Sequence, residues 1–397
     1  MRPAPAAVRA ALLAATAAAA VFAPDSARAA TLAPGDLLAV LAEQNVVRIA
    51  ADGSIETLFS APAAGLQTVY GIAVEPSGRI LALTVGGGTS LVRVDPADGS
   101  HALVATLPAF GLPFSLAIDR KDTAAFFVDY SGDVFRVELA TGAVTTIVSL
   151  PSSGVASFAL ALAPDGALYV SDDAQDRVLR IDPASGATET IAEGVELGGF
   201  YRAHGIDVDR DGRILGTRYD PPAVLRIDPA TGAQEVVAEG GLLDGPVEIE
   251  IERDGSVRVG DLWDGDVVRV DPATGAQSRI DTPYLLTGLA IVPYPECGNG
   301  RDDDGDGLVD WPADPGCSAA DAPNESPPCQ DGIDDDGATG IDFDGGAAAN
   351  GGVALDVPDP QCTTPWRSER ARSCGIGAEL VAALGLLSTR LGRPTAR

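Results

Sequence analysis

An apolar–Arg–apolar–acid tetrad returns about every 44 residues through the middle of this chain. It reads Val92-Arg93-Val94-Asp95, Phe135-Arg136-Val137-Glu138, Leu179-Arg180-Ile181-Asp182, Leu225-Arg226-Ile227-Asp228 and Val268-Arg269-Val270-Asp271. A first copy, Val47-Arg48-Ile49, lacks the acid. Most copies run into a turn such as Asp-Pro-Ala-Thr-Gly at 228–232 and 271–275. Proline presets φ at the first turn position, and glycine accepts the left-handed one that sends the chain back.

A short apolar stretch precedes each tetrad: Gly71-Ile72-Ala73-Val74, Ser115-Leu116-Ala117-Ile118, Ala159-Leu160-Ala161-Leu162, Gly205-Ile206-Asp207-Val208, Glu248-Ile249-Glu250-Ile251 and Gly288-Leu289-Ala290-Ile291. Large residues mostly alternate with small ones, as a strand crowded near an axis requires. An acidic tight turn and a second strand follow, as in Ala163-Pro164-Asp165-Gly166 and Ala167 to Asp172. Each unit therefore reads as four short strands without a helix.

Units of this length and content predict an all-β fold, a six-bladed β-propeller over 30–295. One four-stranded sheet cannot bury both faces, but six arranged radially can. The last copy supplies only an inner strand at 288–292, and the first copy, from Gly35, supplies only the outer three. One blade built from both ends would close the ring and remove the free edges.

The Gly-Ile-Ala-Val strands and acidic turns resemble the superfamily of NHL-repeat proteins, senescence-marker-type lactonases and streptogramin lyases. The lactonase resemblance implies a channel metal held by Glu, Asp and two Asn. Residues 35–292 contain a single Asn, Asn45, so that ligand set cannot be assembled. The streptogramin-lyase resemblance implies a His with acidic partners near the channel. Here that expectation falls on His204, Asp207 and Glu250, with Arg202, Arg218, Asp220, Asp261 and Trp263 as neighbours. A His between carboxylates can move a proton near neutral pH. The alternative is structural: pairing across the turn at 252–256 sets Glu250 opposite Arg258 as a cross-strand ion pair. His204 likewise falls opposite Arg218. A small-ligand site at this mouth, using His204, Arg202, Arg218, Asp261 and Trp263, needs no catalysis.

Charge narrows the partners. Lys+Arg number 27 against 57 Asp+Glu, a formal charge of −30. Such a field repels phosphate backbones and anionic headgroups, which excludes nucleic acid and a membrane surface as partners. It attracts divalent cations.

The acid concentrates after Pro295, in a tail spanning 296–372. Cys297 to Cys317 and Cys329 to Cys362 enclose related segments, a duplicated, loop-rich module. Asp302-x-Asp304-x-Asp306-Gly307 followed by Asp310 has the spacing of a Ca²⁺ loop: alternate carboxylates point into one bend, and glycine allows its sharp turn. The carbonyl of Leu308 and the side chain of Asn299 are further candidate ligands. Asp334, Asp336 and Asp342 repeat the pattern in the second copy, where Ala338 and Thr339 replace Asp306 and Gly307 and weaken the site. Ala313 stands where an EF-hand needs glutamate, so the loop resembles thrombospondin type 3 repeats more than an EF-hand. Four cysteines allow three pairings; the duplication favours Cys297–Cys317 and Cys329–Cys362.

Both ends read as processing signals. Arg2 and Arg9, the apolar run 10–23 and Ala27-Arg28-Ala29 form a secretory signal over 1–29, cleaved after Ala29. Residues 373–397 carry Cys374-Gly375, an apolar run and Arg390, Arg393 and Arg397, which resembles the sorting tails of exported bacterial surface proteins. Cys374 is then a processing or attachment point. The expectation is an exported monomer, extracellular or held at a bacterial surface or outer membrane, touching membrane only through this tail. It would bind a small molecule or surface component through a propeller mouth, without catalysis. The second reading is an exported lyase or hydrolase using His204, Asp207 and Glu250.

Overall fold

Turn chemistry divides the chain into units of four strands. A computed structural model describes residues 32–50, 53–108, 115–119, 123–151, 158–194, 205–262, 265–282, 286–301 and 308–314, with 317, 319–322, 325 and 357–358. The first unit holds β1 (Leu37–Leu41), β2 (Asn45–Ile49) and β3 (Ile55–Ser60). The second holds β4 (Thr68–Val74), β5 (Ile80–Val85), β6 (Thr89–Val94) and β7 (His101–Leu107). The third holds β8 (Leu116–Ile118), β9 (Ala124–Val128), β10 (Asp133–Glu138) and β11 (Val144–Ser149). The fourth holds β12 (Phe158–Leu162), β13 (Leu168–Asp172), β14 (Arg177–Ile181) and β15 (Thr188–Glu193). The fifth holds β16 (Ile206–Val208), β17 (Ile214–Arg218), β18 (Ala223–Ile227) and β19 (Gln234–Glu239). The sixth holds β20 (Pro246–Ile251), β21 (Val257–Asp261), β22 (Val267–Val270) and β23 (Gln277–Ile280).

The last strand, β24 (Leu286–Ile291), returns to the first unit and pairs antiparallel with β1, setting Leu38 opposite Ala290. The first unit is thus a four-stranded blade in the order β24-β1-β2-β3, and it closes a ring of six antiparallel sheets. Both the blade count and the closure expected from the repeat are observed.

Six apolar clusters fill the six junctions between neighbouring blades. Their pattern follows from the second strand of each blade. The residue opposite the inner-strand Ala or acid is Leu38, Leu81, Phe126, Tyr169 or Leu215, and each enters the core shared with the next blade. In the sixth blade this position is Arg258.

The arginine that marks the repeat has a structural task. It reaches back to the acidic turn before the second strand: Arg48 to Asp36 at 2.9 Å, Arg93 to Glu75 at 2.6 Å, Arg180 to Asp165 at 2.8 Å and Arg269 to Glu252 at 2.8 Å. In the third and fifth blades it pairs instead with Glu138 and Glu235. The turn glycine also serves the junction. At Gly186, φ +71°, a Cβ would stand 2.6 Å from the Ile147 carbonyl oxygen of the previous blade.

Residues 295–397 form a separate compact unit. A disulfide joins Cys297 to Cys317, as the duplication predicts. Asp310 folds the enclosed loop by accepting the Asn299 N–H at 2.9 Å and the Gly300 N–H at 2.8 Å. Cys329, Cys362, Ala29 and Cys374 lie outside the described residues, as do the expected signal and sorting segments.

Candidate functional site

The inner strands β4, β8, β12, β16, β20 and β24 neighbour one another around the axis. One register position decides what faces that axis. Four blades carry Ala73, Ala117, Ala161 and Ala290 there, whereas β16 carries Asp207 and β20 carries Glu250. The inner edge of each inner strand has no further strand to bond, so its N–H groups need other acceptors. Asp207 supplies two: one carboxylate oxygen accepts the Val208 N–H at 2.7 Å, the other the Ile251 N–H of the next inner strand at 2.9 Å. Glu250 repeats the arrangement one blade on, accepting the Ile291 N–H.

A third carboxyl joins them. Glu248 lies two residues before Glu250, on the same face of β20. Room for its backbone comes from Gly205, where a Cβ would stand 2.7 Å from the Glu248 carbonyl carbon. Burial pushes the Glu248 carboxyl up to about 8. Burial also raises Glu250 well above the usual carboxylate range, helped by the negative charges of Asp207 and Glu248 and opposed by the Ile291 N–H. Packed this closely inside a protein wall, the three carboxyls cannot all ionise cheaply. The cluster therefore holds protons at pH values where exposed carboxylates hold none.

The other expected residues fall in different places. Arg218 is 8% exposed; it donates to the Pro221 carbonyl at 2.8 Å and lies 3.5 Å from Glu239. Asp261 is fully buried and accepts the N–H groups of Asp244 at 2.7 Å and Gly245 at 2.9 Å, fastening the loop before β20. His204, Arg202 and Trp263 lie outside the described residues. The expected ion pair between Glu250 and Arg258 is not formed, although their strand pairing is as predicted. Arg258 turns to Glu252 at 2.9 Å instead. Glu252 sits at the turn, where keeping its charge costs less desolvation than in the channel.

Glu248 was not among the residues singled out from sequence. Its signal was present: the equivalent positions are Gly71, Ser115, Ala159, Gly205 and Gly288, all small. Glu325 of the tail was missed too. Fully buried, it accepts the Asp310 N–H at 3.0 Å, and its carboxylate lies within 4.8 Å of that of buried Asp314. No sequence spacing ties position 325 to the Asp-rich loop. Of the expected metal ligands, Asn299, Leu308 and Asp310 are described, whereas Asp302, Asp304, Asp306, Asp334, Asp336 and Asp342 lie outside the described residues.

No family model matches the sequence. No curated protein matches it. Solved structures do. A chain of a nidogen/laminin complex superposes with TM-score 0.55 at 15% identity, covering 65% of this chain and 98% of that one. TolB from Acinetobacter baumannii gives 0.51 at 15% identity, covering 65% and 67%. A streptogramin B lyase gives 0.48 at 17% identity, covering 64% and 83%. At such identities the likeness is one of fold, and that fold is the six-bladed β-propeller.

Proposed function

We propose that this chain is an exported, surface-associated binding propeller carried on a calcium-stiffened acidic stalk, and that it is not an enzyme. The observation that carries the non-catalytic reading is the commitment of Asp207 and Glu250 to backbone N–H groups of adjacent inner strands. A carboxylate bracing two blades is a poor choice for a group that must gain, lose and hand on a proton in each turnover. The ligand would be a small molecule or a surface component met at a propeller mouth. The nidogen/laminin structure is an instance of this fold in a protein complex.

Two observations support the calcium stalk. The Asp302, Asp304, Asp306 spacing supplies hard oxygen donors. The buried carboxylates of Asp314 and Glu325 lie within 4.8 Å of each other, a pairing of like charges that a divalent cation would offset. Cys317 contributes no thiolate there, because it is bonded to Cys297. When bound, the ion would supply structural cross-linking of the loop. Asp302→Ala should lower the calcium stoichiometry read by titration calorimetry; an unchanged stoichiometry removes the assignment.

One observation favours the second reading, a lyase or hydrolase using His204, Asp207 and Glu250. Glu248 holds its proton up to about 8, as a general acid would. A screen of glycans and small metabolites against the full chain separates the two. Retention of a compound unchanged supports a binding module. Retention with bond cleavage that Glu248→Gln abolishes replaces it with the enzyme.

A further inference from the structure

Of the three channel carboxyls, one has no structural task. Asp207 and Glu250 are committed to the N–H groups of Ile251 and Ile291. Glu248 is not: among the described residues no hydrogen bond or ion pair reaches its carboxyl. The group is closed in by protein, and burial is the sole cause of its shift to about 8. The residue nonetheless keeps an intermediate share of its surface accessible, as a side chain lining an enclosed passage does. The other five inner strands carry Gly71, Ser115, Ala159, Gly205 and Gly288 at this level, so no second long side chain enters the passage beside it. A buried acceptor that meets no donor is costly, and nothing in the blade asks for this one.

The neighbouring strands bring no cation to it. β20 packs against β16, β17, β21 and β24. β16 contributes Asp207, and β24 carries no charged residue. On β17, Arg218 donates to the Pro221 carbonyl and lies against Glu239. On β21, Arg258 turns to Glu252, and Asp261 accepts the N–H groups of Asp244 and Gly245. A metal ion is a poor fit as well. Among the described residues the one trio of acidic or thiol ligands gathered within 4.8 Å is Asp314, Cys317 and Glu325 of the tail, so the channel carboxyls do not converge on a single ion. A metal needs several oxygens at once, whereas an ammonium group needs one good acceptor.

We propose that Glu248 anchors a channel site for an organic ammonium group, the protonated amine of a small molecule, with Asp207 and Glu250 beside it. This rests on the binding reading given above and names the chemical class of its ligand. The ammonium N–H groups meet the one carboxyl of the trio that no backbone N–H uses, in a charge-assisted bond. The cation also offsets the desolvation that burdens the carboxylate, so Glu248 releases its proton to solvent as the ligand enters, while the ammonium keeps its own. The Gly, Ser and Ala side chains at this level leave the passage to the carbon skeleton of the amine.

Titration calorimetry of the full chain with butylammonium chloride and with 1,4-diaminobutane dihydrochloride, against neutral 1-butanol, tests the proposal. Expected is saturable binding of at least one amine and none of the alcohol. Glu248→Gln should lower the affinity at least tenfold. Asp281→Asn, which removes a carboxylate 88% exposed, should leave it unchanged and so separates the site from the general attraction of an acidic chain. In the parent the affinity should rise about tenfold from pH 6 to pH 7, because one proton leaves per ammonium bound; buffers of different ionisation enthalpy read that proton directly, even if the Gln variant fails to fold. Absence of saturable heat with both amines overturns the proposal and leaves the binding reading standing, as does equal affinity in parent and Glu248→Gln. Saturable magnesium binding that displaces the amine and is lost in Glu248→Gln overturns it in favour of a metal. An amine that binds through Glu248 and is then cleaved upholds the site and removes the non-catalytic reading instead.

Discussion

The carboxylate of Asp207 accepts the backbone N–H of Ile251 at 2.9 Å, joining the inner strands of two successive blades. Glu250 does the same for Ile291, so two consecutive junctions are tied side chain to backbone near the axis. Removing the first tie leaves an edge N–H without its acceptor. Asp207→Ala is expected to cost about 1–3 kcal/mol, the usual penalty for an orphaned buried group. Asp207→Asn, which keeps a carbonyl oxygen, should cost less. Urea unfolding of the three proteins at one pH makes the comparison; equal midpoints for Ala and Asn variants would count against a hydrogen-bonding role.

Glu248 makes stability depend on pH in a definite direction. Its carboxyl titrates near 4.5 when unfolded and is pushed up to about 8 in the folded channel. Between those values the folded state binds more protons than the unfolded one, so raising the pH destabilises. The contribution is fully present below the lower value and lost as pH rises through the upper. Glu248→Gln cannot ionise. It should match the parent near pH 4.5 and exceed it at pH 9, with the gap opening across that window. Denaturant midpoints measured at intervals of one pH unit would reveal the crossover or its absence.

Glu75 is 2% exposed and depends on Arg93, which holds it through Nε at 2.7 Å and Nη2 at 2.6 Å. Arg93→Ala strands a buried carboxylate and should cost about 3–5 kcal/mol. Adding Glu75→Gln removes the stranded charge, so the double variant should recover part of that loss. Additive single-variant costs in this cycle would show that the pair is not coupled.

Two turn glycines separate backbone strain from crowding. Gly166 at φ +82° has open space where a Cβ would go, whereas at Gly186, φ +71°, a Cβ meets the Ile147 carbonyl. Gly166→Ala should cost about 1–2 kcal/mol, the left-handed penalty alone. Gly186→Ala should cost clearly more, because the junction with the previous blade must also shift. Thermal unfolding of both variants side by side decides it.

The repeat was legible because its arginines and turn glycines are constrained by contacts within a blade and with the next one. Arg93 and Gly186 recur because Glu75 and Ile147 stand at fixed offsets from them. Closure by β24 was legible for the same reason: an inner strand without its outer three had one vacant partner, β1. The site was read less well. Pairing predicted that Glu250 faces Arg258, but register does not say which carboxylate the long arginine chain selects. Asp261 drew attention as a channel-mouth acid, yet loop N–H groups at 244 and 245 claim it, and loop backbone leaves no pattern in side-chain identities.

The blade that shuts the ring draws its strands from the two extremes of 37–291. The Val292 N–H reaches the Asp36 carbonyl, and the Thr287 hydroxyl reaches that of Val40 across 247 positions of sequence. Chain synthesis makes β1 before every other strand of the ring and its closing partner β24 after them. In the interval β1 offers a bare strand edge, the feature by which foreign strands are recruited into aggregates. Bringing so distant a partner home is also slow, since the entropy of the intervening loop is lost before any contact repays it. The strand that closes the ring therefore sets how long the newborn propeller stays vulnerable.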